Sequence, residues 1–178
     1  MITITRKLEF DAGHRVLGHE GKCANLHGHR YVAELTATAS GLDKIGRVID
    51  FSVLRTLVGG WIDEHWDHNM LLNSKDPLLL CYQYPLAMLK HETNTRAGQV
   101  LGPKAPYVFM DMNPTAEVMA TVLLKKAQEL LTPHGLTVAK VRLYETPNCW
   151  ADTSMTWGQD YMDAQDRALD NGTPPDLL

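Results

Sequence analysis

Three cysteines, Cys23, Cys81 and Cys149, are all that this 178-residue chain contains. An odd number without regular spacing is no disulfide framework, and the simplest compartment for it is the reducing cytoplasm. No stretch approaches the ~18 apolar residues that a membrane-spanning helix needs. The opening Met1-Ile2-Thr3-Ile4-Thr5-Arg6 alternates like a strand and lacks the apolar core of a signal peptide. An excess of positive charge is missing too: 17 basic against 21 acidic residues leave −4, which argues against electrostatic capture of nucleic acid. There is no Gly-x-Gly-x-x-Gly dinucleotide fingerprint, no internal repeat and no low-complexity stretch. With 44% hydrophobic and 21% charged residues, the composition is that of one ordinary globular domain over 1–178.

Against these absences stands a concentration of metal-binding residue types. His27-Gly28-His29 places two imidazoles at strand spacing, where residues i and i+2 share a face. His14, at the end of the preceding extended run, is the third candidate ligand. Three histidines without a fourth protein ligand form the pattern of a catalytic zinc site with one coordination position open. Cys23 lies four residues before His27. A thiol is a useful base or nucleophile when a nearby cation lowers its pKa; the alternative readings are a small packing residue or a fourth zinc ligand closing a structural site.

Ile2, Ile4, Leu8 and Phe10 alternate with polar residues, as do Tyr31, Ala33, Leu35 and Ala37, so two strands flank the polar loop 11–26. An antiparallel pair joined there carries the histidines at its connecting end. Asp50 is placed to cap a helix with Phe51, Leu54, Val58, Trp61, Ile62 and His65 on one stripe, weakened by Gly59-Gly60. Pro114, at or near the first helical position, opens a second helix through Met119, Leu123, Ala127, Leu130 and Leu131, which Pro133 and Gly135 end. Thr137 to Glu145 alternates again, with Ala139, Val141 and Leu143 on one phase, and a turn at Pro147-Asn148 leads to a last strand ending at Trp157. The order strand, strand, helix, helix, strand, strand predicts an α+β fold: a four-stranded antiparallel sheet with both helices on one face. Exposed sheet edges favour a homo-oligomer.

Phe10-Asp11-Ala12-Gly13-His14-Arg15 followed by Cys23-x-x-x-His27-Gly28-His29 resembles the 6-pyruvoyltetrahydropterin synthase superfamily. The three-residue gap between Cys23 and His27 is most similar to that of the bacterial 6-carboxytetrahydropterin synthases. Asp67-His68-x-x-Leu71-x-Asn73, Pro114-Thr115-Ala116-Glu117 and Glu145-Thr146 match further family segments in the same order. Trp66 stands where the family often has Leu. The resemblance covers about 1–73 and 114–157. It leaves an insertion at about 74–112 and a C-terminal tail at about 158–178 outside it.

That resemblance implies the tunnelling fold (T-fold), a homohexamer built as two stacked trimers, and Zn²⁺ on His14, His27 and His29. It implies Cys23 as the catalytic thiol with Asp67 and His68 as its partners, and substrate-binding roles for Glu145, Thr146, Glu117 and Thr115. The bland readings stand beside these roles: a solvated loop pair for Asp67-His68, a sheet-edge carboxylate for Glu145, and for Glu117 the first-turn position that the helix dipole favours. A carboxylate at 145 also suits the guanidine-like edge of a pterin, which offers two parallel N–H groups. The implied reaction converts 7,8-dihydroneopterin triphosphate to 6-carboxy-5,6,7,8-tetrahydropterin with loss of acetaldehyde and triphosphate, on the route to queuosine and other deazapurines. The rivals are triphosphate elimination to a pyruvoyl product or side-chain cleavage to a hydroxymethylpterin on the same scaffold, and a non-catalytic zinc- or pterin-binding module.

Overall fold

Residues 2–80 and 105–155 are described by the computed structural model of the chain. The insertion's middle, the tail at 158–178 and the last strand's expected end at Trp157 lie outside them. Strand β1 (Thr3–His14) pairs antiparallel with β2 (His27–Ala39) over their whole lengths, from Thr3↔Thr38 to His14↔His27. The predicted alternation sets the faces. Leu8, Phe10 and Ala12 of β1 are buried, with Tyr31, Ala33, Leu35 and Ala37 of β2, while Lys7 and Glu34 pair across the opposite face.

Asp50 caps the first helical run as its sequence position suggests, accepting from the Ser52 N–H. The run is α1 (Phe51–Leu54), a π-helical turn at Arg55–Gly59, and α2 (Gly60–His65). The Gly-Gly pair marks the widened turn, a recognised way for a helix to absorb an extra residue. Gly59 sits in a tight spot there: a Cβ would meet the Arg55 side chain and lie 3.2 Å from Leu8 Cδ2 of β1. Helix α3 (Ala116–Leu131) begins two residues after Pro114: Thr115 is the cap, and Pro114 precedes it. A 3-10 turn at Thr132–His134 and Gly135, at φ 70°, end the helix and reverse the chain into β5 (Leu136–Thr146). Leu54, Val58 and Ile62 share one core with Met119, Leu123, Leu124 and Ala127, so both helical runs cover the same sheet face.

Among the described residues the sheet has six strands, correcting the expected four. Its order is β4-β3-β1-β2-β5-β6, with β3 (Asn69–Asn73), β4 (Tyr107–Phe109) and β6 (Cys149–Thr153) completing it. β3 joins β1 and β4 joins β3 in parallel, so the sheet is mixed rather than purely antiparallel. Neither strand carries an alternating signal. Leu71 and Leu72 of β3 are adjacent and both fully buried, as in strands covered on two faces, and β4 is three residues long. A bulge at Ala139 also breaks the expected phase of β5. Val138 faces Ala37 and Lys140 faces Thr36, so the inward set is Val138 and then Val141 and Leu143.

Candidate metal centre and adjoining cleft

The β1–β2 register brings the histidines together: His14 lies opposite His27, Gly13 opposite Gly28, and Ala12 opposite His29. One ligand nitrogen from each of His14, His27 and His29 lies within 4.8 Å of the other two. Gly28 is required between its neighbours because a Cβ there would sit 3.0 Å from the Ala12 carbonyl oxygen, which belongs to the ladder. Gly28→Ala is expected to cost about 1–3 kcal/mol, the range for forcing a methyl into packed structure, measurable as a lowered midpoint in chemical denaturation.

Hydrogen bonds fix the ring orientations. His14 Nδ1 donates to the Pro114 carbonyl at 2.8 Å, and His27 Nδ1 donates to the Asn25 carbonyl at 2.7 Å. A carbonyl only accepts, so each Nδ1 carries the hydrogen and each Nε2 presents its lone pair. The two Nε2 atoms lie 3.1 Å apart. Two lone pairs at that separation repel unless a cation sits against both. Nitrogens about 2.0–2.1 Å from one tetrahedral ion are themselves about 3.3 Å apart. The donor set therefore fits a metal ion. Glu145 Oε1 adds negative charge at 3.5 Å from His14 Nε2 and 3.7 Å from His29 Nε2.

Burial lowers the pKa of His14, with repulsion from His27 adding to it and the Pro114 and Glu145 contacts opposing; His29 is lowered chiefly by burial as well. The folded metal-free state thus binds protons less readily than the unfolded chain. Stability attached to these neutral histidines is complete above the unfolded value of about 6.5 and is lost as pH falls below it. Chemical denaturation of the metal-free protein between pH 7.5 and 5 is expected to show this decline, and His14→Gln should flatten it.

Asp67 and His68 do meet, although adjacent residues of a helix or strand do not face each other. His68 adopts the left-handed conformation at φ 52°, which turns its ring back so that Nδ1 donates to Asp67 Oδ2 at 2.8 Å. Both are strapped to β1: the Asp11 N–H donates to Asp67 Oδ1 at 2.9 Å, and the His68 N–H donates to the Asp11 carbonyl at 2.7 Å. The His68 side chain is 78% exposed. Cys23 is a free, partly buried thiol in the 3-10 turn Lys22–Ala24, whose carbonyl holds the Val16 N–H. Buried Tyr31 packs edge-on against His14 and His29, and burial, with the charges of Glu145 and Cys23, pushes its hydroxyl pKa up.

The remaining candidates occupy structural positions close by. Thr115 caps α3 by accepting from the Val118 N–H, and Glu117 is an exposed residue of the first turn. Thr146 closes the β5–β6 turn, its hydroxyl accepting from the Asn148 N–H at 3.3 Å. A cleft of about 550 Å³ is lined by one of the three histidines, His29, with Arg30, Tyr144, Glu145, Thr146 and Pro147 among others. Its size falls in the range of small-molecule sites. Sequence reading passed over Asn113 and Asp76, which contact the histidine-bearing loop from far along the chain. No local pattern marks such partners.

The family model for 6-pyruvoyl tetrahydropterin synthase matches residues 3–155. A Rickettsia felis protein named 6-carboxy-5,6,7,8-tetrahydropterin synthase is 40% identical over 153 residues, spanning 85% of this chain and 99% of the relative. Among solved structures, an uncharacterised Wolinella succinogenes protein aligns with a TM-score of 0.69 at 24% identity, covering 86% of this chain and 98% of its own. Caenorhabditis elegans 6-pyruvoyl tetrahydropterin synthase aligns with a TM-score of 0.56 at 20% identity, covering 86% and 94%. At these identities the two structures establish the shared fold.

Proposed function

The chain belongs to the 6-pyruvoyl tetrahydropterin synthase family, and on that premise we propose that it is a zinc-dependent 6-carboxytetrahydropterin synthase. The substrate is 7,8-dihydroneopterin triphosphate. Uptake of water balances its conversion to 6-carboxy-5,6,7,8-tetrahydropterin, acetaldehyde and triphosphate. The observation that carries the reading is the convergence of His14, His27 and His29 beside Glu145, with His29 and Glu145 also lining a cleft of about 550 Å³. The carboxy product is favoured because the full-length relatives carry that name.

His14, His27 and His29 would hold the ion, which supplies Lewis acidity that makes the hydroxyl protons of the substrate side chain easier to remove. Glu145 anchors the ring by accepting two hydrogen bonds, from the 2-amino group and the ring N–H. Cys23 moves a proton at the side-chain carbon next to the ring. Asp67 holds the His68 Nδ1–H, leaving His68 Nε2 to take or supply the second proton. Thr115, Thr146 and Glu117 line the approach to the ring. Ring and side chain exchange oxidation level internally, which needs no nicotinamide or flavin. The protein acts in the cytoplasm, in the synthesis of queuosine and related deazapurines, as a homohexamer that covers the exposed edges at β4 and β6.

Mass spectrometry of products from zinc-loaded protein and 7,8-dihydroneopterin triphosphate tests the assignment. A carboxytetrahydropterin with acetaldehyde supports it. A pyruvoyl product transfers the function to the other synthase of the family, and unchanged substrate with zinc bound sinks the activity.

A further inference from the structure

His14 is the last residue of β1, so the chain beyond it must be held by something other than the sheet. The restraint comes from residues about a hundred positions away. Asn113 Oδ1 accepts from the Leu17 N–H at 2.9 Å, and Asn113 Nδ2 donates to the Leu17 carbonyl at 2.9 Å. The amide thereby occupies both backbone groups of Leu17, as a neighbouring strand would. The next carbonyl, that of Pro114, takes the His14 Nδ1–H. Asn113-Pro114 therefore grips the loop at two points, the His14 ring and the backbone three residues on. Asn113 precedes a proline, which confines it to extended backbone and makes the grip stiff.

The other flank of the insertion reaches the same loop. Arg15 forms a bidentate pair with Asp76, at 2.6 Å and 2.7 Å, and the Asp76 carboxylate is fully buried. Asp76 is itself placed by the turn that follows β3, its carboxylate accepting from the Leu78 N–H. Arg15 to Leu17 is thus clamped from both ends of the insertion, one clamp in the 74–80 segment and one at Asn113.

We propose that Asn113 is a positioning residue for the histidine cluster, holding the 15–17 turn that follows His14. The inference rests on the metal reading above. Without the Leu17 contacts the 15–17 turn loses its register, and the His14 ring loses the alignment that directs Nε2 at its partners. Removal of outer partners of metal-binding histidines commonly weakens metal binding about 10–100-fold.

The test measures zinc affinity by chelator competition and the visible spectrum of the cobalt(II)-substituted protein, on the full-length wild type, Asn113→Ala, Asn113→Asp and Ser74→Ala. Asn113→Asp preserves volume and the acceptor for Leu17 N–H but sets a carboxylate oxygen against the Leu17 carbonyl, so it serves if the alanine variant folds poorly. Ser74 pins the base of the same insertion by accepting from the Asp111 N–H, without touching the loop. Zinc binding at least tenfold weaker in both Asn113 variants, with an altered cobalt spectrum and Ser74→Ala like wild type, is the expected result. Wild-type affinity and spectrum in the Asn113 variants overturn the inference while leaving the metal reading intact. Equal weakening in Ser74→Ala overturns it as well, because the effect would then be general loosening of the segment. A wild type that binds neither metal overturns both.

Discussion

Cys23→Ala is expected to lower kcat by about 10²–10⁴-fold, the range for removing a positioned proton-transfer group, while bound zinc stays at one ion per chain. The two readouts separate the roles left open by the spacing of Cys23 and His27. A thiol that serves as a fourth ligand takes metal affinity with it when removed. A thiol that moves a proton takes only turnover. The structure puts Cys23 on a loop turn and builds the convergent nitrogen set from three histidines without it. Activity retained within tenfold would remove Cys23 from the mechanism.

Glu145→Gln is expected to lower kcat/KM by about 10²–10³-fold, mostly through a higher KM. In the proposed role the carboxylate would offer two acceptors to two pterin N–H groups, and each hydrogen bond to a charged partner contributes about 1.5–3 kcal/mol. Glutamine keeps the shape, loses the charge and sets an N–H₂ against a donor. The proposed contact is with the N–H edge of the ring and not with the reacting carbon, so its loss would act as lost binding more than as lost chemistry. Zinc content should be unchanged, because three imidazoles remain. An unchanged KM would place the pterin anchor elsewhere in the cleft.

The sequence made the centre of this molecule legible because its signals are local. Alternation in 2–10 and 31–37, one shared face for His27 and His29, and the cap at Asp50 each depend on neighbours a few residues apart. The family segments then ordered these pieces along the chain. What stayed hidden depends on distant partners or on conformations without a period. β3 is buried on both sides and β4 is too short to alternate, so two strands of the sheet left no pattern. One extra residue at Ala139 moved the inward phase of β5. The Asp67–His68 contact needs a left-handed backbone at a histidine, a conformation that the Asp11 contacts hold and that nothing in the dipeptide announces. Asn113 reaches Leu17 across 96 positions and Asp76 reaches Arg15 across 61.

The account stands or falls on three histidines holding a metal with room left for substrate. X-ray absorption at the zinc edge of the loaded protein tests this directly. The predicted first shell is three histidine nitrogens and one further light atom at about 2.0–2.1 Å, unchanged in Cys23→Ala. A sulfur scatterer at about 2.3 Å, lost in that variant, would mean a closed Cys23-containing site and would contradict the catalytic reading.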